Sequence, residues 1–334
     1  MKRRAIIIFL FGIAILAALV VYSGIGAVER TLQSLRLSGL ALITLLHVPV
    51  LALLGMAWWM IGRDIPNAAR LKFFWARCVR DAAAEVLPLS QIGGFVLGVR
   101  ALNLSGINML PGALSMSVDL ILEFAAKLPY ALLGLLALLT LSPGTGFAGL
   151  IFIMVALIAA GTVIAALLRG WIENLLENSV LALLRRWPGL APAPQSEVQA
   201  FLRHIFARGD RLLFGLSIHI FCWLFGAVEI WVMFALMNIR ITGLEAVIID
   251  SLVSTLRSLA FAVPAAAGTQ EASYLLVCGF LGIAPAEAVA ASLVRRGREL
   301  VIGVFVLAIW QLLEIVAPSP GEQQGSALTL KKRV

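Results

Sequence analysis

Two apolar stretches of this 334-residue chain are interrupted by proline and glycine where an ordinary membrane helix would run on. The first reads AAAEVLPLSQIGGFVLGV over Ala82–Val99. The second covers Ala246–Ile283 and breaks at PAAAGTQE, Pro264–Glu271. A proline removes a backbone donor and opens the turn before it. In lipid such a break survives only where neighbouring protein or enclosed water satisfies the freed groups. Interrupted segments at corresponding places in two halves of a chain also point to a transporter's binding site. The pair predicts two re-entrant elements, their breaks marked by Pro88, Gly93, Gly94, Pro264 and Gly268.

Composition supports a bilayer setting. The chain is 61% hydrophobic and 13% charged, against about 25% charged in soluble domains, which excludes a soluble fold. Its net charge of +8 reads as Lys- and Arg-rich cytoplasmic loops facing anionic head groups, and no nucleic-acid partner is expected. Cys78, Cys222 and Cys278, with His47, His204 and His219, show no metal-site spacing, so neither a metal nor a cofactor is expected. No G-x-S-x-G, P-loop or H-E-x-x-H is present, and the chain is not expected to be an enzyme.

A bilayer core of about 30 Å takes about 20 apolar residues as helix. Six segments qualify: Ala5–Tyr22, Leu40–Ile61, Gly112–Leu139, Gly149–Leu168, Leu212–Met237 and Leu300–Val316. Lys and Arg cluster before the first span, after the second (Arg63, Arg70, Lys72, Arg77, Arg80), after the fourth (Arg169, Arg185, Arg186, Arg203, Arg208, Arg211) and in the tail. With both termini cytoplasmic, six full spans reproduce this alternation if each broken segment enters and leaves on one side. The expected fold is therefore all-α and polytopic, with about six full spans and two inverted re-entrant hairpins. The alternative is seven to eight full spans. A membrane domain over 1–317 would hold a first hairpin at 82–101, a cytoplasmic amphipathic connection at 169–211 and a second hairpin at 246–283. Residues 318–334 read as a disordered cytoplasmic tail. Within the connection, Trp171–Trp187 is patterned as an interfacial amphipathic helix, Pro188–Pro194 as a stiff linker, and Ser196–Arg211 as a helix capped by Ser196.

Charges inside a span are functional hypotheses. Asp119, Glu123 and Lys127 recur every four residues on one helix face. They would either line a polar cavity or proton relay, or form a self-neutralised ladder packed against another helix. In the second hairpin, after Asp250 and Arg257, Gly268 permits unusual dihedrals and Thr269 could cap a returning half-helix. Glu271 would then be a capping residue or would touch a ligand or coupling ion. Arg80, Asp81 and Glu85 precede the first break, Ser90 and Gln91 lie in it, and Arg100 closes it. Arg295, Arg296 and Arg298 precede the last span, as a phosphate head-group site or an interfacial anchor. His219 reads as a core residue and Glu229 as a weaker site candidate. The expected substrate path is Gln91, Arg100, Thr269, Gln270, Glu271, Arg295, Arg296 and Arg298, with Asp119, Glu123 and Lys127 as its polar wall.

At these motifs the chain resembles the lysylphosphatidylglycerol synthase transmembrane-region family of flippase-like membrane proteins. The likeness is carried by Leu87-Pro88-Leu89-Ser90-Gln91-Ile92-Gly93-Gly94 and by Pro264-Ala-Ala-Ala-Gly268-Thr269-Gln270-Glu271, and extends over about Ala5–Val316. LPLSQIGGFVLGVRAL, GTQEASY and SLVRRGRELVIGVFVLAIWQ look most like its hopanoid-biosynthesis-associated branch. Gly94 stands where the broader family often has Glu, and the soluble aminoacyl transferase domain of full synthases is absent, so lysyl transfer is not implied. The resemblance implies a bacterial inner-membrane protein that moves lipids, hopanoids or another polar-headed lipid, between leaflets. Membrane lipids are the expected partners. A non-catalytic partnership with lipid-biosynthesis enzymes, or a membrane-embedded lipid-modifying activity, are the alternatives.

Overall fold

The computed structural model describes residues 21, 25–86, 90–141, 195–259 and 268–316. Among these, every regular element is an α-helix. The helices are α1 (Ile25–Gly62), α2 (Arg70–Val86), α3 (Ser90–Leu104), α4 (Met109–Leu141), α5 (Gln195–Phe206), α6 (Gly209–Leu236), α7 (Gly243–Leu259), α8 (Thr269–Phe280) and α9 (Pro285–Val316). Three of them, α1, α4 and α6, are long and apolar enough to cross a membrane. The chain is an all-helical, polytopic membrane protein. The expected spans Ala5–Tyr22 (Val21 apart) and Gly149–Leu168 lie outside the described residues, as do Trp171–Trp187, Pro188–Pro194 and the tail 318–334.

Two apolar cores organise the described helices. The first joins Trp58 of α1, Phe73 of α2, Leu102 of α3, Met116 of α4, Leu202 of α5 and Val306 of α9. The second joins Ile43 of α1, Leu138 of α4, Phe234 of α6, Ile249 of α7, Tyr274 of α8 and Val289 of α9. The long helices α1, α4, α6 and α9 pass from one core to the other. By the order in which each meets the cores, α1 and α9 run one way and α4 and α6 the other.

The short helices belong to one core each. α2 and α3 are rooted in the first core, with the α2 C-terminus pointing away from it; α7 and α8 are rooted in the second. The two pairs approach each other end to end. Glu85, near the end of α2, accepts a hydrogen bond from Arg257, near the end of α7, at 2.6 Å. The connections 87–89 and 260–267, with Pro88 and Pro264, lie outside the described residues.

Several expected boundaries change. The first arm of the first hairpin starts at Arg70, not Ala82, and Arg77 and Arg80, read from sequence as loop charges, are inside it and buried. The last helix begins at Pro285, so Arg295–Arg298 lie mid-helix instead of before a span at Leu300. α1 starts fifteen residues before Leu40 and is divided at Arg36, which takes φ 57 and ψ 165. In α2 and α9 hydropathy registered the apolar stretch and missed its charged continuation, because those charges are paired with protein. The helix expected at Ser196–Arg211 ends at Phe206, and Arg211 belongs to α6.

Lipid tails are as apolar as leucine, so helices in a bilayer associate through close packing and polar contacts. Gly94 shows the packing term. It lies inside α3, not at the break, and an added Cβ would stand 2.7 Å from the Arg80 carbonyl oxygen and 3.0 Å from the Ala84 Cβ. Only a hydrogen there lets α2 and α3 touch. Gly94→Val is expected to lower the thermal unfolding midpoint in detergent, at a cost of about 1–3 kcal/mol for overpacking. Gly243→Ala, which meets nothing within 4 Å, is expected to leave the midpoint unchanged.

Candidate functional site: a charged layer between two cores

Between the two cores α4 and α9 carry ionised side chains. On α4, Asp119, Glu123 and Lys127 follow the first-core residues Ala113–Val118 and precede Ala137 and Leu138 of the second. On α9, Arg295, Arg298 and Glu299 separate Val289 from Val306. Residues 295, 298 and 299 share a face, whereas 296 is rotated about 100° from 295. That rotation sends Arg296 to a different partner.

One cluster gathers α2, α4 and α6. Arg77, only 2% exposed, donates from Nε to Asp81 at 2.8 Å, from Nη1 to Asp119 at 3.1 Å and from Nη2 to Glu123 at 3.2 Å. Arg80 donates from Nη2 to Glu123 at 2.9 Å. Asp119 is fully buried, and its other oxygen is 3.0 Å from His219 Nε2. An ionised carboxylate only accepts, so His219 donates from Nε2 and keeps Nδ1 as the bare nitrogen. The Glu123–Lys127 pair expected from sequence does not form. The arginine forks of α2 satisfy Glu123, and Lys127 turns to the Ser258 hydroxyl and to the Trp223 ring, 4.5 Å from its centroid.

The second cluster ties the hairpin ends to α9. Arg257 donates to Glu85 at 2.6 Å and to Glu299 at 2.9 Å. Arg295 donates to Asp250 at 2.8 Å, and Asp250 also accepts from the Tyr130 hydroxyl at 3.0 Å. Arg298 donates to Glu229, whose other oxygen lies 2.8 Å from His47 Nδ1. Gly226 makes room for this set, since an added Cβ would run into the Asp250 carboxylate.

The two clusters face a cavity of about 190 Å³. Arg77, Arg80, Arg257, Arg295 and Arg298 line it, beside carboxylates of α2, α4, α6, α7 and α9 and the apolar Val50, Leu51, Leu54 and Ile302. Buried nitrogens of three of these arginines, Arg80 Nη1, Arg295 Nε and Arg298 Nε, have no hydrogen-bond acceptor among the described residues. A cavity with spare donors on one set of walls and apolar side chains on another suits an oxygen-rich group attached to an apolar body.

The expected site residues divide. Arg295, Arg298 and Glu123 line the cavity, with Asp119 and Lys127 directly behind them. Glu271 is fully buried and pairs with Arg296 at 3.0 Å, outside the cavity lining. Gln270 donates to the Ser292 carbonyl at 3.0 Å. Thr269 is the first residue of α8 and not its cap; Gly268 holds the cap position at φ 76. Arg100 pairs with Glu314 at 2.7 Å, away from the cavity. Gly93 and Gly94 lie within α3, and the side chain of Gln91 lies outside the described residues. Sequence reasoning missed the roles of Arg77, His47 and Glu299. A signal was present: Arg77, Asp81 and Glu85 recur every four residues, the spacing of Asp119, Glu123 and Lys127, with the order of charges reversed.

Outside the layer, Asp64 follows α1 and binds Arg211 at 2.6 Å and His204 at 2.9 Å. Those hydrogen bonds, Arg211's first, lower its pKa to about 2. A depressed carboxylate stabilises the fold above its unfolded pKa, near 4, and loses that contribution as pH falls toward 2. The midpoint difference between wild type and Asp64→Asn is therefore expected to close between about pH 4 and the lowered value of about 2. A difference independent of pH there would show that the charge contributes nothing.

Arg296 and Glu271 offer a second check. Arg296→Ala leaves a fully buried carboxylate without its salt bridge and is expected to cost about 3–5 kcal/mol. Glu271→Ala/Arg296→Ala is expected to unfold at a higher temperature than Arg296→Ala alone, measured in detergent.

The sequence profile of the family described as Lysylphosphatidylglycerol synthase TM region matches residues 9–307. This is more than half of the chain, and the chain belongs to that family. It is thus a membrane protein of a family concerned with lipid handling. Nothing among curated proteins matches it, and nothing among solved structures does.

Proposed function

We propose that this member of the lysylphosphatidylglycerol synthase transmembrane-region family binds a lipid head group in the charged cavity and moves the lipid between leaflets. It does so as a transporter and not an enzyme. The observation that carries the reading is the set of spare donors. Arg80 Nη1 and Arg298 Nε are buried on residues that line a cavity between two apolar cores, and among the described residues neither donates a hydrogen bond, although Arg80 Nη1 lies 3.8 Å from carboxylate oxygens of Asp81 and Asp119. A buried donor without a partner costs about 1–3 kcal/mol, which a phosphate or hydroxyl oxygen in the cavity recovers. Two hairpins rooted in opposite cores and meeting end to end support alternating access, because either pair can withdraw without disturbing the other's root. The cargo is a hopanoid or another polar-headed lipid of the bacterial inner membrane, with both protein termini cytoplasmic.

The test uses protein reconstituted in phosphatidylglycerol vesicles carrying an acyl-labelled fluorescent phosphatidylglycerol, quenched from outside by dithionite. Wild type is expected to expose inner-leaflet label that protein-free vesicles protect. Arg80→Gln leaves Glu123 bonded to Arg77 and removes a spare donor. It is expected to slow exposure about tenfold, the equivalent of one charge-assisted hydrogen bond. Equal rates for a folded variant and wild type would sink the assignment. Hopanoid cargo is tested separately, in a deletion strain: an unchanged lipid inventory with altered distribution between inner and outer membranes is expected. A lost species with its precursor accumulating would indicate an enzyme or synthesis partner instead.

A further inference from the structure

We infer that the cavity binds one proton, seated on His219, and that head-group movement is coupled to it; the coupling rests on the transport reading above, whereas the proton site does not. Around His219, the guanidiniums of Arg77 and Arg80 face the carboxylates of Asp81, Asp119 and Glu123. Across the cavity, Arg257, Arg295 and Arg298 face Glu85, Glu229, Asp250 and Glu299. Lys127, between the clusters, is the remaining cation, and its hydrogen bond goes to a neutral hydroxyl. With both histidines neutral, the described residues of the layer hold one carboxylate more than they hold cations. An uncompensated charge in a low-dielectric layer is costly. A single proton removes it.

His219 is the seat that geometry favours. Its ring is fully buried and lines the cavity, and Nε2 is committed to Asp119. Nδ1 is buried and has no hydrogen-bond partner in the protein. A proton delivered from bulk solution to the Nδ1 lone pair makes an imidazolium that keeps its Nε2–H bond to Asp119. The groups facing it fix the balance. Arg77 and Arg80 of α2 oppose the charge; Asp119 and Glu123 of α4 favour it. Cys222 and Glu229 lie further along α6, and His47 of α1, Asp250 of α7 and Arg298 of α9 line the far wall. His47 already binds Glu229 through Nδ1 and is the competing seat. Imidazole is the one side chain whose ordinary pKa allows uptake and release near neutrality. Loss of the proton restores the negative excess beside Arg77 and Arg80, so the arginines hold their carboxylates more tightly in one protonation state than in the other. That difference couples the proton to any group competing for the same arginines.

The chain has three histidines, so histidine-selective 15N labelling of the full protein in phosphatidylglycerol nanodiscs gives three ring systems. They are assigned by elimination with His204→Gln and His47→Gln. As pH is lowered the His219 ring is expected to gain one proton, with Nδ1 as the nitrogen that takes it. Asp119→Asn is expected to weaken that uptake, since it removes the carboxylate that stabilises the imidazolium. A His219 ring that stays neutral throughout, or a titration confined to His47, overturns the proton site. In the vesicle assay, an imposed pH gradient is expected to change the wild-type rate of lipid exposure severalfold, and the His219→Gln rate not at all. A wild-type rate indifferent to the gradient overturns the coupling. If no vesicle shows protein-dependent exposure, the transport reading fails, and the ring titration alone decides the proton site.

Discussion

Buried arginines that share carboxylates between helices hold the middle of this protein together. Arg77 touches three acids from two helices, and Arg257 joins the end of one hairpin, the end of the other and α9. Nothing in the bilayer interior can solvate these groups, so each helix position is conditional on the partner that neutralises it. Removing one member strands its partners and costs several kcal/mol. Replacing a whole set by well-packed apolar residues is often neutral or stabilising in other proteins. Stability alone is thus a weak reason for a chain to keep such a layer. A layer of competing pairs around a cavity, with spare donors aimed into it, is instead suited to exchanging protein carboxylates for a ligand's oxygens.

The architecture makes that exchange mechanically simple. α4 and α9 are apolar in both cores and charged between them, and α1 and α6 add His47, His219 and Glu229 to the cavity lining, so four elements hold the layer at one depth. The short hairpins enter from opposite cores and stop at the layer, where Glu85 and Arg257 join them. Packing inside the first hairpin is tight, as Gly94 shows, whereas among the described residues the Arg257 guanidinium ties the second hairpin to Glu85 of the first. Hairpin ends that meet through ion pairs have two ways to settle, because ion pairs can be re-formed with another partner and interdigitated cores cannot.

Much of this was legible in the sequence. The four-residue spacing of Asp119, Glu123 and Lys127 revealed a polar face on α4, and the interrupted apolar segments located both hairpins. Two kinds of misreading follow from physics that a single sequence does not display. The positive-inside count treated Arg77 and Arg80 as loop charges, because hydropathy cannot distinguish a solvated arginine from one buried against Asp119 and Glu123. The same blindness cut α9 at Leu300, although Arg295, Arg298 and Glu299 continue the helix with partners from α6 and α7. Pairing also redirected the head-group path. Glu271 and Arg296 satisfy one another away from the cavity, whereas Arg77, Arg80 and Arg257 took the places that the motif around Pro264 had suggested for its own residues.

The central claim is that the charged layer is a lipid head-group site. It is tested most directly by an experimental structure of the full chain in nanodiscs of native membrane lipid. A head group within hydrogen-bonding distance of Arg80 Nη1 and Arg298 Nε, its acyl or polycyclic body leaving past Leu51, Leu54 and Ile302, is the predicted result. A closed layer with those nitrogens bonded to protein or water alone, and lipid only around the outside, would contradict it.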